Sequence, residues 1–303
     1  MNVRVLSSFV AASALAAIVA GCGGSSSVDN AIVVPDPAVK VGGSTASAPV
    51  ATKPAESPAP DAGTTAAGTS TPAAAAAPVT ADGWGTLKGR ITLAGNAPTL
   101  PDNVISKDPE VCGKGSPKSE KLVVDAASKG VKNVVVYINK PTRINPEAKS
   151  AVSSKEVVFD QKDCIFVPHV MAMMVGSKVT LKSSDPVAHN INSKVDNNAL
   201  NQAMAANASS PFSPAAAARQ PGLIVCDIHP WMTAYWHVLD HPYFAVTNEK
   251  GEFEIKNVPA GTQKVVVWQE STRYVTPTSG KEVNIAANGE TVQEFTIDAA
   301  KVK

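Results

Sequence analysis

The chain reads as an all-β protein: an antiparallel β sandwich preceded by a disordered tether. Three observations predict it. Segments after Gly83 alternate apolar and polar residues with period two, or form short runs rich in β-branched side chains. Turn signals such as Val175-Gly176-Ser177-Lys178 and Glu249-Lys250-Gly251 separate them. Residues 23–82, in contrast, are dominated by Ala, Pro, Ser, Thr and Gly, with scarcely a large apolar side chain after Val41. Such a stretch cannot bury enough surface to offset its ordering entropy.

Met1–Arg4 forms a short basic start, and Val5–Ala20 is almost wholly apolar and Ala-rich. That run is short for a membrane span. It ends in Val19-Ala20-Gly21-Cys22, which resembles the lipobox of bacterial lipoproteins. The resemblance implies a signal peptide over residues 1–21 and a lipid on Cys22. Residues 22–82 would then be a flexible linker holding the body off a membrane, in the cell envelope and facing the periplasm or the exterior. A plain signal peptide is the competing reading.

Along the body, Leu87, Gly89, Ile91 and Leu93 face one way, and Lys88, Arg90 and Thr92 the other. Val131–Ile138 is a continuous apolar run expected to form one buried strand. Val157–Phe159, Ile165–Val167, Met171–Val175 and Val179–Leu181 are expected to follow as strands. Residues 194–222 break the pattern, being rich in Asn, Ala, Ser and Pro. Leu200, Ala203 and Met204 have helical spacing, so one or two helical turns are expected there. The segment is read as a flexible, exposed insertion, with a flap over the site below as the alternative.

The formal net charge is +1 with Lys and Arg scattered, which gives no footprint for nucleic acid. Four cysteines are present. With Cys22 read as the lipid site and Cys226 as a metal ligand, Cys112 and Cys164 remain. In an oxidising compartment they either form a disulfide or stay as two buried thiols.

The run Cys226-Asp227-Ile228-His229-Pro230-Trp231-Met232 carries the chemistry. Cys226, His229 and Met232 fall at C-x2-H-x2-M, and His189 lies upstream in VAHN. One thiolate, two imidazoles and one thioether form the donor set of a mononuclear type 1 copper site, in which the Cys–copper bond is strong and the axial Met weak. Taken singly, His189 reads as an ordinary histidine, Cys226 as a buried thiol and Met232 as core filler. Zinc is the runner-up metal, but a thioether suits it poorly. Cys226 is expected to end one strand and Met232 to precede the next, with Pro230 stiffening the loop between them.

This loop resembles that of amicyanins, small cupredoxins whose ligand loop reads Cys-x-x-His-Pro-aromatic-Met. Ala188-His189-Asn190 resembles the His-Asn pair of the same superfamily. The resemblance implies a Greek-key cupredoxin-like sandwich over residues 83–242. It makes His189, Cys226 and His229 equatorial ligands and Met232 the axial one. Asn190 becomes the residue whose hydrogen bonds tie the His strand to the Cys loop. Residues from about Gly83 to Ala245 also resemble secreted cupredoxin-like proteins labelled as methylamine-utilisation proteins. In residues 243–303, GEFEIKNVPAGTQKVVVW resembles carboxypeptidase-regulatory-like, transthyretin-type β modules. Gly85–Gly95 looks like the opening strand of such modules, so one layer is expected to draw on both ends of the chain.

Trp231 is read as a plug over the loop and as part of an apolar patch where the exposed edge of His229 meets a redox partner. His169, Met171 and Met173 would share a strand face, either as core packing or as a second Cu(I) site. His237 is read as a surface or core histidine, and His241 as a turn stabiliser. The functional expectation is a lipid-anchored carrier of single electrons holding one copper ion, not an enzyme. Its partners would be the membrane and a transient redox protein. The alternatives are a copper chaperone or storage protein, and a non-redox adhesion or carbohydrate-binding module. No Cys-x-x-Cys-His, His-x-His or GxSxG element points to haem, multicopper or hydrolase chemistry.

Overall fold

The computed structural model describes residues 82–303. The expected leader, the lipid-bearing Cys22 and the tether up to residue 81 lie outside the described residues. Among the described residues, no helix is long and apolar enough to cross a membrane.

The chain runs through β1 (Trp84–Ala94), a single helical turn α1 (Pro109–Cys112), β2 (Val135–Ile138) and helix α2 (Pro146–Ser154). Then follow β3 (Glu156–Lys162), β4 (Ile165–Val167), β5 (Val170–Met174), β6 (Lys178–Ser183), β7 (His189–Ser193) and β8 (Leu200–Met204). Next come β9 (Ser209–Phe212), β10 (Gly222–Val225), β11 (Thr233–Leu239), β12 (Phe244–Val246) and β13 (Glu252–Pro259). The last strands are β14 (Gly261–Gln269), β15 (Arg273–Tyr274), β16 (Lys281–Ile285), β17 (Glu290–Val292) and β18 (Phe295–Asp298).

Two pairs of sheets form. In the first pair, a sheet ordered β5-β11-β10-β7-β8 packs on one ordered β4-β3-β6-β9, around a core that includes Phe159, Phe166, Met171, Met173 and Trp236. In the second pair, β13-β1-β17 (with β18 on β1) packs on β12-β2-β14-β15 (with β16 on β14), around Leu87, Ile91, Val136, Phe253 and Val265. A third cluster, including Val135, Tyr137, Tyr235, Val266 and Trp268, joins the outer faces of β2 and β14 to β5 and β11.

The alternation in β1 sorts as expected: Leu87, Ile91 and Leu93 are buried, while Lys88 and Arg90 pair with Glu290 and Glu252 on the other face. Gly89 is required by close approach, because a Cβ there would lie 1.9 Å from the Gln293 carbonyl oxygen. β1 pairs with β13, β17 and β18, and β2 with β12 and β14. β1 and β2 therefore lie with the C-terminal strands, while α1 between them packs on the unit around the ligand loop, which is inserted between β2 and β12. The boundary expected near residue 242 is redrawn accordingly, since the C-terminal strands complete their sheets only with β1 and β2.

Three further expectations are corrected. The sheets are mixed, with parallel pairs β3–β6, β5–β11, β1–β17 and β1–β18. The run Val131–Ile138 is strand only from Val135, because Asn133 adopts a left-handed φ of 63°. Asparagine tolerates that conformation, and its neighbours stay buried without continuing the ladder. Residues 200–204 form no helical turn but strand β8, in register with β7 from His189↔Met204 to Ser193↔Leu200. Leu200 and Met204 satisfy period two as well as a helical period, and pairing with β7 decides between them.

Candidate metal centre

His189 is the first residue of β7, and β7 pairs with β10. Cys226 follows β10 and Met232 precedes β11, as the loop spacing predicts. The loop closes on itself: the Cys226 amide donates to the Met232 carbonyl at 3.1 Å, and the Met232 amide to the His229 carbonyl at 2.9 Å. The structure thus brings His189, Cys226 and His229 together. Nδ1 of His189 lies 2.8 Å from Nδ1 of His229, and Cys226 Sγ lies 3.8 Å from His229 Nδ1. The three ligand atoms fall within 4.8 Å of one another. His189 and His229 are 0% exposed and Cys226 2%. Met232 is buried in the same core as Cys226.

The outer nitrogens decide how these rings face inward. His189 Nε2 lies 2.8 Å from Asp185 Oδ2, and His229 Nε2 lies 2.9 Å from Asp108 Oδ2. A carboxylate only accepts, so each Nε2 carries the hydrogen, and a neutral ring then turns a bare Nδ1 lone pair toward the thiol. Two such lone pairs in mutual contact, away from water, call for a proton or a cation between them. Metal–nitrogen bonds of about 2.1 Å and metal–sulfur bonds of about 2.3 Å span separations of this size. The donor set fits a metal ion, and Asp108 and Asp185 supply the carboxylate–histidine buttresses common to such sites.

Electrostatics agree. Burial works against charging His189, but the Asp185 carboxylate and Cys226 more than offset it and hold its pKa up to about 9. Burial disfavours the Cys226 thiolate, yet His189 and the Asn190, His229 and Ile228 amides outweigh it and lower the thiol's pKa. His229 is pushed down by burial, against the opposing pull of Asp108. Asp185 is kept low despite burial, by His189 and by the Cys164 and Asp163 amides. His189 and Cys226 thus shift in opposite directions, each favouring the charged form of the other.

Asn190 occupies the place expected of it. Its amide faces Cys226 Sγ at 3.5 Å, its side-chain nitrogen donates to Asp227 Oδ2 at 2.7 Å, and its side-chain oxygen accepts from the Asp227 amide at 2.6 Å. Asn192 donates to both Asp227 oxygens, at 3.0 and 2.9 Å. The Asp227 carboxylate is a clamp that sequence reading did not single out.

The expected exposed edge of His229 is a correction. Asp108, at the start of α1, caps that edge, and a Cys112–Cys164 disulfide ties α1 to the β3–β4 turn. Cys164 also donates its amide to Asp185 Oδ2 at 2.9 Å and accepts the Trp231 indole at 3.0 Å. One cystine thus braces the holders of both histidines. Trp231 is half-buried and packs edge-on against His229, with ring centroids 5.1 Å apart; Ile228 and Pro230 beside it are exposed. A second grouping of Cys164, Asp185 and His189 holds no free thiol, because Cys164 is bonded.

The remaining candidates separate. Met171 and Met173 are in the first core, whereas His169 turns away to Glu270, with its Nε2 2.6 Å from Oε2. The three do not form a shared face of donors. His237 is a core residue on β11, and His241 Nδ1 accepts the Tyr243 amide at 3.2 Å, a turn contact. Asp108 and Asp185 had no legible signal in the sequence beyond the short spacing of Asp185 to His189.

No protein-family model and no curated protein sequence matches the chain. Solved structures with local likeness include a Cu-containing nitrite reductase (NirK) from Thermus scotoductus SA-01, at 16% identity, 28% of this chain, 22% of that one and a TM-score of 0.26. The match therefore spans under a quarter of that enzyme. A purple cupredoxin from Nitrosopumilus maritimus gives 19% identity over 27% of this chain and 99% of that one, with a TM-score of 0.24. A Cu(I) methionine-to-alanine mutant of amicyanin gives 18% identity over 34% and 98%, with a TM-score of 0.26. Values this low leave the reading of the site to the geometry of the chain itself.

Proposed function

We propose that the protein is a carrier of single electrons, holding one copper ion through His189, Cys226, His229 and Met232, and that it is not an enzyme. The observation that carries this is the convergence of two bare Nδ1 atoms and a thiolate-prone sulfur in a water-excluded pocket. Bound there, copper supplies reversible one-electron chemistry, for which thiolate and thioether suit Cu(I) and imidazoles either state. The chain's own part is to keep the donors still. Asp185 and Asp108 hold the rings, and Asn190 and Asp227 hold the loop. A rigid donor set limits reorganisation when the charge changes.

Full burial of His189 and His229 favours a carrier over a delivery protein, which must exchange its metal readily. The half-buried Trp231 and exposed Ile228 and Pro230 are the part of the loop open to a transient redox partner. Attachment to a membrane through a lipid on Cys22, in the cell envelope, completes the reading on sequence grounds alone.

The test is Cu(II) titration of the body, followed by visible and paramagnetic-resonance spectra. One equivalent should bind and give a thiolate-to-copper charge-transfer band, which Cys226→Ser should abolish. An unchanged band in that variant would discard the assignment.

A further inference from the structure

A cavity of about 150 Å³ opens beside the ligand loop, its wall including Glu120, His169, Trp231 and Met232. His169 is 6% exposed, and its two nitrogens do different things. Nε2 contacts buried Glu270 at 2.6 Å, whereas Nδ1 stands 3.9 Å from Glu120 Oε2. That second separation is too long for a hydrogen bond. An ion with bonds of about 2.1 Å at tetrahedral or octahedral angles would hold the two atoms about 3.0–3.4 Å apart, so a movement of the Glu120 carboxylate by less than about 1 Å would close the pair on it.

We propose that His169 Nδ1 and the Glu120 carboxylate form a second metal site, separate from the central one, taking a divalent transition-metal ion whose remaining ligands are water. Three features support it. Glu270 plays for His169 the part that Asp185 plays for His189, accepting from one ring nitrogen so that the other is left as a donor. Glu120 is only partly exposed, at 24% of its side chain, so it is held near the ring rather than free in solvent. The cavity has room for an ion and its waters. Lys118 and Lys121 also line the cavity and oppose a cation, but Lys118 is drawn off by Asp102 at 2.7 Å. The site should thus be weaker than the central one. A nitrogen and a carboxylate oxygen suit Zn²⁺ or Cu²⁺, and neither donor is the soft sulfur that selects Cu(I). The site does not depend on the central pocket being a copper centre.

The experiment takes the full chain equilibrated with one equivalent of copper and uses Zn²⁺ as probe, with bound metal counted after equilibrium dialysis. About one zinc per chain should bind. Glu120→Gln and His169→Gln should each weaken zinc binding at least ten-fold while copper content and the visible spectrum stay as before. Circular dichroism would confirm that both variants are folded; Glu120, near the surface, is the safer of the two. Zinc binding that survives Glu120→Gln but disappears in Cys226→Ser would place zinc in the central pocket and overturn the proposal. Absence of zinc binding would overturn it too, leaving His169 as an imidazole held between two carboxylates. Failure of the copper reading shows separately, as copper binding indifferent to Cys226→Ser.

Discussion

Asp108 Oδ2 lies 2.9 Å from His229 Nε2, joining a residue at the start of α1 to the centre of the ligand loop. Asp108 adopts a left-handed φ of 48° and accepts the Val111 and Cys112 amides through its carbonyl, so its carboxylate is aimed by a tight turn. It both sets which nitrogen of His229 faces the pocket and closes the pocket to water.

Asp108→Ala should therefore weaken metal binding roughly ten- to a hundred-fold, the range for loss of a carboxylate behind a ligating histidine. A competition titration against a chelator of known affinity measures it. Unfolding by urea should change by much less than the binding free energy, since Asp108 is partly exposed.

Removing the cystine should act on the fold more than on the donors. Cys112 and Cys164 are 52 residues apart in sequence. Closing such a loop contributes about 4 kcal/mol in the chain-entropy model. The Cys112→Ser, Cys164→Ser double variant should lose stability of that order in urea, and its bound metal should exchange faster because α1 is released from the pocket. Unaltered exchange would show that Asp108 holds the cover without help.

Asn190→Ala strips Asp227 of a donor to its carboxylate and of the acceptor for its amide. Asp227 is exposed and keeps its bonds from Asn192, so the loss falls on the tie between β7 and the loop rather than on the stability of the fold. The loop should loosen in consequence, with a shifted charge-transfer band and a raised reorganisation energy in electrochemistry. Asn190→Asp should be worse, because it sets a second carboxylate against Asp227.

His237 gives the fold a dependence on pH away from the metal. It is 1% exposed, its Nδ1 has no hydrogen-bond partner, and burial pushes its pKa down to about 3, with His241 adding to the effect. Between the ordinary histidine value of about 6.5 and that depressed one, the unfolded chain binds a proton that the folded chain refuses. Stability should therefore be complete above about pH 6.5 and decline as the pH falls toward 3, by up to a few kcal/mol. Urea midpoints at pH 7 and pH 4.5 would show it. His237→Phe should flatten that slope, and an equal slope in the variant would assign the effect to other groups.

What was legible in the sequence was local. Cys226, His229 and Met232 sit within one seven-residue loop, so their convergence needs only a turn between two strands, and strand alternation announced itself in Leu87, Ile91 and Leu93. His189 was legible as the second imidazole that completes the donor set, in a His-Asn pair resembling that of cupredoxins. The tertiary structure decided what depends on distant segments. Asp108 reaches His229 across 121 positions of chain, and nothing in its surroundings marks it. Leu200 and Met204 fit strand and helix alike until β7 offered a partner, and β1 joined the C-terminal strands because its buried face found Phe253, Phe295 and Ile297 there. Short-range spacing selects donor chemistry, while long-range packing determines which of those donors meet water.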